Sequence, residues 1–185
     1  MERHDAWEIL TEFTKLDRNV KHALSVEQVM RQAAREWGGD PAVWGTVGLL
    51  HDFDWEIHPT VETHPMEGEP LLRGRGVPEE VIHAVQCHAP HSGAVPGQLM
   101  DHMILACDEL TGFVIACALV QPNKSLAELK VSSVRKKLKD KAFARSVDRD
   151  CIHLGIERID ADLEAHIGFT IAALKPIAGE LGLNR

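Results

Sequence analysis

The sequence predicts an all-α protein. Apolar residues recur at helical spacing through most of the chain, and no useful length alternates apolar with polar residues as a half-buried strand would. Helix punctuation falls between the periodic segments: Gly38-Gly39 as a stop, Asp40-Pro41 as a cap with a first-turn proline, and Pro122 as a second stop.

In chain order, Trp7, Ile9, Leu10 and Phe13 suit a short amphipathic helix. Asn19 to Trp37 reads as a long helix, with Val20, Ala23, Val29, Met30, Ala33 and Trp37 on its stripe. From Ala42 a third helix runs through Trp44 and Val47 to Leu50, and His51-Asp52 stands at its end. Residues 53–70 are rich in proline, glycine, carboxylates and histidines, and read as an irregular loop with a short helical piece at Leu71-Leu72. Pro78-Glu79-Glu80 opens another helix that ends at His88. The most apolar helix spans Leu99 to Val120 and carries Cys107-Asp108-Glu109 in its middle. Short helices are expected at Ser125 to Lys130, Ser132 to Lys139 and Asp148 to Leu154, and a longer one from Asp160 to Leu181.

A chain of 185 residues is read as a single domain, 1–185, with a core over about 18–121 and a C-terminal helical extension over about 122–185. The net charge of −8 argues against a general nucleic-acid binder. The four cysteines, Cys87, Cys107, Cys117 and Cys151, lack CxxC spacing, so neither a zinc ribbon nor a redox pair is expected. The charged N-terminus has no apolar signal region, and no membrane span was expected, so the reading is cytoplasmic. Six of the eleven histidines fall between His51 and His91, which points to a site there.

His51-Asp52 ends an apolar run, and Asp108 sits inside Leu105 to Leu110. A buried carboxylate is costly unless it is paired or holds a metal. His22, His51, Asp52 and Asp108 are all satisfied at once by one divalent metal site. Mixed imidazole and carboxylate donors suit manganese, iron, zinc, cobalt or nickel.

The ordered set His22, His51-Asp52, Asp108 resembles the signature of the HD-domain superfamily of metal-dependent phosphohydrolases. "KHALSVEQVM" carries the first histidine, "GLLHDFDW" the central pair and "ACDEL" the last aspartate. The resemblance covers roughly Lys21 to Val120. "CDELTG" followed by "VSSVRKKLKDKAFAR" extends it toward a group of small bacterial predicted HD hydrolases. It implies an HD-type helical bundle and a hydrolase acting through water acidified by bound metal. His64, in "HPMEG", and His88 match the additional ligands of two-metal members, so the resemblance implies two divalent ions with Asp52 between them. The long "HHExxDGxGYP" segment of the cyclic-di-GMP phosphodiesterase branch is absent.

The implied substrate is a small phosphorylated molecule, a phosphomonoester or phosphodiester, with neither a nucleic-acid polymer nor a membrane as partner. Candidate catalytic groups besides Asp52 are Lys21, beside the first ligand, and Asp101, seven residues before Asp108 on the same helix face; Glu56 is a further acid–base candidate. Lys124, Arg135, Lys136 and Lys137, in a basic run within an acidic protein, are candidate phosphate binders. Two alternatives stand beside the hydrolase, the first with the same ligand set. Some two-iron members are oxygenases, and some HD-like modules that have lost ligands only signal or scaffold.

Overall fold

The computed structural model describes residues 1–184. Nine α-helices are present among the described residues: α1 (Arg3–Phe13), α2 (Asp17–Trp37), α3 (Pro41–Leu50), α4 (Glu69–Gly74), α5 (Glu79–Cys87), α6 (Leu99–Leu119), α7 (Val131–Leu138), α8 (Arg149–Arg158) and α9 (Leu163–Leu174). Among the same residues there is no strand, only one isolated bridge between Ser125 and Asn184. The all-α expectation holds.

α2 and α3 form an antiparallel hairpin. Gly38, at φ +81°, ends α2 in the left-handed conformation that glycine adopts without strain. Asp40 then caps α3 by accepting from the Ala42 amide at 2.7 Å. The two helices touch backbone to backbone: a β-carbon on Gly48 would lie 2.7 Å from the Val26 carbonyl oxygen. α6 is the central helix and packs against α2, α3, α5, α7, α8 and α9. Its stripe of Met103, Ile104, Leu110, Phe113, Val114 and Cys117 is buried in one core with Val26, Met30, Leu50 and Phe53.

An 18-residue window of α6 reaches a mean hydropathy of 1.6, so α6 is long and apolar enough to cross a membrane, contrary to the expectation that no segment would. Two-thirds of that window is buried in the bundle, as for a central core helix.

The C-terminal part departs from expectation in two places. Ser125 to Lys130 is turn rather than helix, because its backbone pairs elsewhere: the Leu126 amide donates to Asn184 at 2.9 Å, and the Asn184 amide donates to Lys124 at 2.8 Å. The last helix is shorter than 160–181. It starts after the Asp162 cap and gives way at Lys175–Ile177 to a 3-10 turn containing Pro176.

Candidate metal centre

The site lies where the end of α3, the loop after it, α2, α5 and α6 converge. α3 carries a buried apolar face as far as Leu50, so the next residue emerges inside the bundle. His51 has no exposed surface. Its Nδ1 donates to the Gly48 carbonyl at 2.8 Å, which leaves Nε2 as the free acceptor atom. That atom lies 3.2 Å from His22 Nε2, 3.3 Å from Asp108 Oδ1 and 3.5 Å from Asp52 Oδ2. His22 Nε2 lies 2.9 Å from Asp108 Oδ1. α2 and α6 thus present one ligand type each to the pair at the end of α3.

Asp52 faces two ways. Its Oδ2 is turned to His51 and His22, whereas its Oδ1 is 3.1 Å from His64 Nε2 and 3.5 Å from His88 Nε2. His88, the C-cap of α5, donates from Nδ1 to the Val85 carbonyl at 2.5 Å. His64 donates from Nδ1 to Asp54 Oδ1 at 2.9 Å. The two remaining Nε2 atoms are then 3.0 Å apart with their lone pairs facing one another. That arrangement is repulsive unless a cation sits between them.

The donor spacing fits a metal. Two donors about 2.1 Å from one cation are separated by about 3.0 Å at right angles and about 3.4 Å at the tetrahedral angle. The distances here run from 2.9 to 3.8 Å, the longest between His22 Nε2 and Asp52 Oδ2 and the others at 3.5 Å or less. His22, His51 and Asp52 form one group able to hold an ion, and Asp52, His64 and His88 form another.

The electrostatics point the same way. Burial disfavours a charged His51, but Asp52 and Asp108 outweigh it and hold its pKa well above the usual value. Burial would raise the Asp52 carboxyl, but His51, His64 and His88 hold it well below the usual range. Asp108 is lowered in the same way, with burial opposed by His51 and His22. Burial likewise opposes His64, yet Asp52 and Asp54 lift it to about 9. The cluster therefore draws cations inward, as protons when no metal competes.

The sequence named six ligand candidates, and the fold brings all six together: His22, His51, Asp52, His64, His88 and Asp108. Two neighbours were not singled out. Asp54 is fully buried and accepts from His64 and from His58 Nδ1 at 3.2 Å. Gly68 makes room for it, since a β-carbon there would come within 2.6 Å of Asp54 Oδ2. Glu109 lines the cavity beside Asp108, and burial together with the Asp108 charge pushes it up to about 8. The signal for Asp54 was its position three residues after His51, obscured by Glu56, Glu62, Glu67 and Glu69 in the same loop.

The centre opens into a cavity of about 1160 Å³. Among the described residues, Arg18 and Lys21 are the lysine or arginine residues that line it. Trp55, Val61, Ile115, Leu119 and Val147 give it an apolar wall. Lys21 also pairs with Asp17 at 2.7 Å.

The other candidates stand elsewhere. Asp101 shares a face with Asp108, but seven residues are about 10 Å along a helix axis. Its side chain does not line the cavity and instead accepts from the Gly97 and Gln98 amides at the start of α6. Glu56 accepts from the Lys15 and Leu16 amides at the start of α2. Lys124, Arg135, Lys136 and Lys137 do not line the cavity either. α7 packs against α9, where Arg135 pairs with Glu164 and Lys137 lies 4.2 Å over the Phe143 ring.

A family model described as the HD domain matches residues 19–119. The chain belongs to the HD-domain superfamily of metal-dependent phosphohydrolases. This HD domain is similar to Ribonuclease Y of Desulfotalea psychrophila, 32% identical over 101 residues, which is 54% of this chain and 19% of that protein. It is also similar to Ribonuclease Y of Alkaliphilus metalliredigens, 34% identical over 100 residues, 53% of this chain and 21% of the relative. A third, from Symbiobacterium thermophilum, is 32% identical over 100 residues, 53% of this chain and 19% of the relative. The match thus spans about a fifth of the length of these relatives. No solved structure matches. HD domains bind divalent metals, and the His/Asp clusters described above are able to hold them.

Proposed function

We propose that this HD domain is a metal-dependent phosphohydrolase that cleaves a phosphomonoester or phosphodiester of a small molecule or nucleotide. The observation that carries the reading is the two-sided Asp52, with Oδ2 facing His22 and His51 and Oδ1 facing His64 and His88. On this reading the centre would hold two divalent transition-metal ions from the set manganese, iron, zinc, cobalt and nickel, with Asp52 shared between them. His51, His22 and Asp108 would hold one, and His64 and His88 the other. The ions supply Lewis-acid chemistry: they bring the pKa of water toward neutrality and offset charge on phosphoryl oxygens.

The chain's own residues do the rest. The Gly48 and Val85 carbonyls and the Asp54 carboxylate fix the tautomers of His51, His88 and His64, so the Nε2 of each is presented as a ligand atom. Arg18 and Lys21, on the cavity wall beside His22, bind the phosphate oxygens. Trp55, Val61, Ile115 and Leu119 cover the remainder of the substrate and shed water from it. Among the described residues two lysines or arginines line the cavity, and the net charge is −8, which supports a small substrate over a nucleic-acid polymer. The name of the Ribonuclease Y relatives favours a diester between the two bond types. Four free cysteines, three of them buried, suit the reducing cytoplasm.

The test is a panel of aryl phosphomonoesters, aryl phosphodiesters, nucleoside phosphates and a short RNA, run on metal-loaded protein and on Asp52→Ala. Release of phosphate or alcohol that disappears in the variant supports the proposal. An inert panel with oxygen consumption by the iron-loaded protein would replace it with the oxygenase reading, since the same donors suit two irons.

A further inference from the structure

A second convergence of ligands lies outside the cavity, behind His88. His83 and Cys87 are four residues apart on α5 and so share a face. Asp101, in the first turn of α6, comes up to meet them. One ligand atom from each of the three lies within 4.8 Å of the other two. None of the three lines the main cavity.

The centre of this cluster is His83 Nε2. It is 3.1 Å from the Val95 carbonyl oxygen, 3.5 Å from Asp101 Oδ2 and 3.6 Å from Cys87 Sγ. A carbonyl, a carboxylate and a thiol crowd round one ring nitrogen, and one proton on that nitrogen does not satisfy both oxygens, whereas a cation among them can. The edges from His83 Nε2 to sulfur and to the carboxylate oxygen, 3.6 and 3.5 Å, are close to those of a tetrahedral ion. Zinc bonds of about 2.3 Å to sulfur and about 2.0–2.1 Å to nitrogen and oxygen set a sulfur–nitrogen edge of about 3.6 Å and a nitrogen–oxygen edge of about 3.4 Å. Asp101 Oδ2 is held in place by the Gly97 and Gln98 amides at 2.9 and 3.2 Å, and its Oδ1 lies 3.4 Å from Gln98 Nε2. Cys87 and Asp101 are buried while His83 is open to solvent on one side, which gives an ion a way in.

We propose that His83, Cys87, Asp101 and the Val95 carbonyl form a separate mononuclear site for a thiophilic divalent cation, zinc above all. The mixture of thiolate, imidazole and carboxylate donors selects such an ion. On binding, the Cys87 thiol proton passes to solvent, and the neutral imidazole exchanges its Nε2 proton through solvent for one on Nδ1, which frees Nε2 for the ion. The thiolate, the Asp101 carboxylate and the divalent ion then sum to zero charge. The ion ties the end of α5 to the 94–98 segment and to the start of α6. It thereby braces His88, the next residue in the chain, from the side away from the cavity. The site is structural, and its occupancy does not depend on the main centre.

Cobalt(II) tests this on the full chain, because a thiolate ligand gives cobalt a charge-transfer absorption in the near ultraviolet and no cysteine is among the six residues of the main centre; Cys151, which lines the same cavity, is removed as a control. Metal-depleted protein is titrated with cobalt(II). The expected result is that absorption, rising to the intensity of one cobalt–thiolate bond per chain, displaced by zinc and retained in Asp52→Asn and in Cys151→Ser. It is lost in Cys87→Ser and in His83→Gln, the latter a surface substitution that leaves the fold intact by circular dichroism. Absence of the absorption from the unsubstituted protein overturns the proposal, as does its persistence in Cys87→Ser or its loss in Asp52→Asn. Cobalt bound with d–d bands but no thiolate absorption would keep the main centre and remove this one.

Discussion

Replacing Asp54 by alanine separates the two halves of the main centre. Asp54 is fully buried and touches the His64/His88 half through the His64 Nδ1 hydrogen bond of 2.9 Å. In Asp54→Ala that N–H loses its acceptor, and His64 is free to turn or to take the other tautomer. Loss of such a ligand-orienting partner costs about 10- to 100-fold in metal affinity, or about 1.4–2.7 kcal/mol. The other half keeps its own anchor, the Gly48 carbonyl that receives His51 Nδ1, and does not touch Asp54. Titration of metal-depleted protein with manganese(II), followed calorimetrically, should resolve two binding steps. In the variant one step weakens by that factor and the other stays within about twofold. Equal weakening of both steps, or no change in either, would refute the claim that Asp54 acts on one half through His64.

Further outcomes follow from the same geometry. Gly48→Ala places a β-carbon 2.7 Å from the Val26 carbonyl oxygen, so α2 and α3 must separate. Overpacking of that kind costs about 1–3 kcal/mol, and calorimetry should show a Tm lower by several degrees. His166 is 3% exposed, and burial lowers its pKa to about 4, against about 6.5 in the unfolded chain. The unfolded state therefore takes up a proton as the pH falls from about 6.5 to about 4, and the stability is present above that window and lost within it. Urea unfolding at pH 7 and pH 4.5 should show about 2–3 kcal/mol less acid sensitivity in His166→Gln; equal sensitivity would contradict the neutral buried form. Arg18→Ala and Lys21→Ala should each raise KM about tenfold or more for whichever phosphoester proves active, with kcat less affected, while Arg135→Ala and Lys136→Ala leave KM unchanged.

His51, Asp52 and Asp108 were legible as candidate ligands because each breaks an apolar pattern, whereas His64 and His88 rested on the resemblance. Leu49-Leu50 ends in His51-Asp52, and Leu105-Ala106-Cys107 leads into Asp108. A helix that buries its face must bury those polar groups too, so the need for a partner shows in one dimension. The basic run was misplaced for the converse reason. A charged stretch records that α7 has a solvated face but not which side of the bundle that face is on, and packing on α9 turned it from the cavity. Asp101 failed on distance rather than direction, since periodicity gives the face of a helix and not the height along it. The Ser125 to Lys130 turn depends on Asn184, about 60 residues away, and no local propensity encodes that pairing.

The central claim is that Asp52 joins two ions in one site. Electron paramagnetic resonance of the manganese(II)-loaded protein tests it most directly, alongside a metal count. The account predicts two manganese ions per chain with an exchange-coupled spectrum, replaced in the His64→Ala, His88→Ala double variant by the signal of a single isolated ion. One ion per chain at saturation, or two with no magnetic coupling, would contradict it.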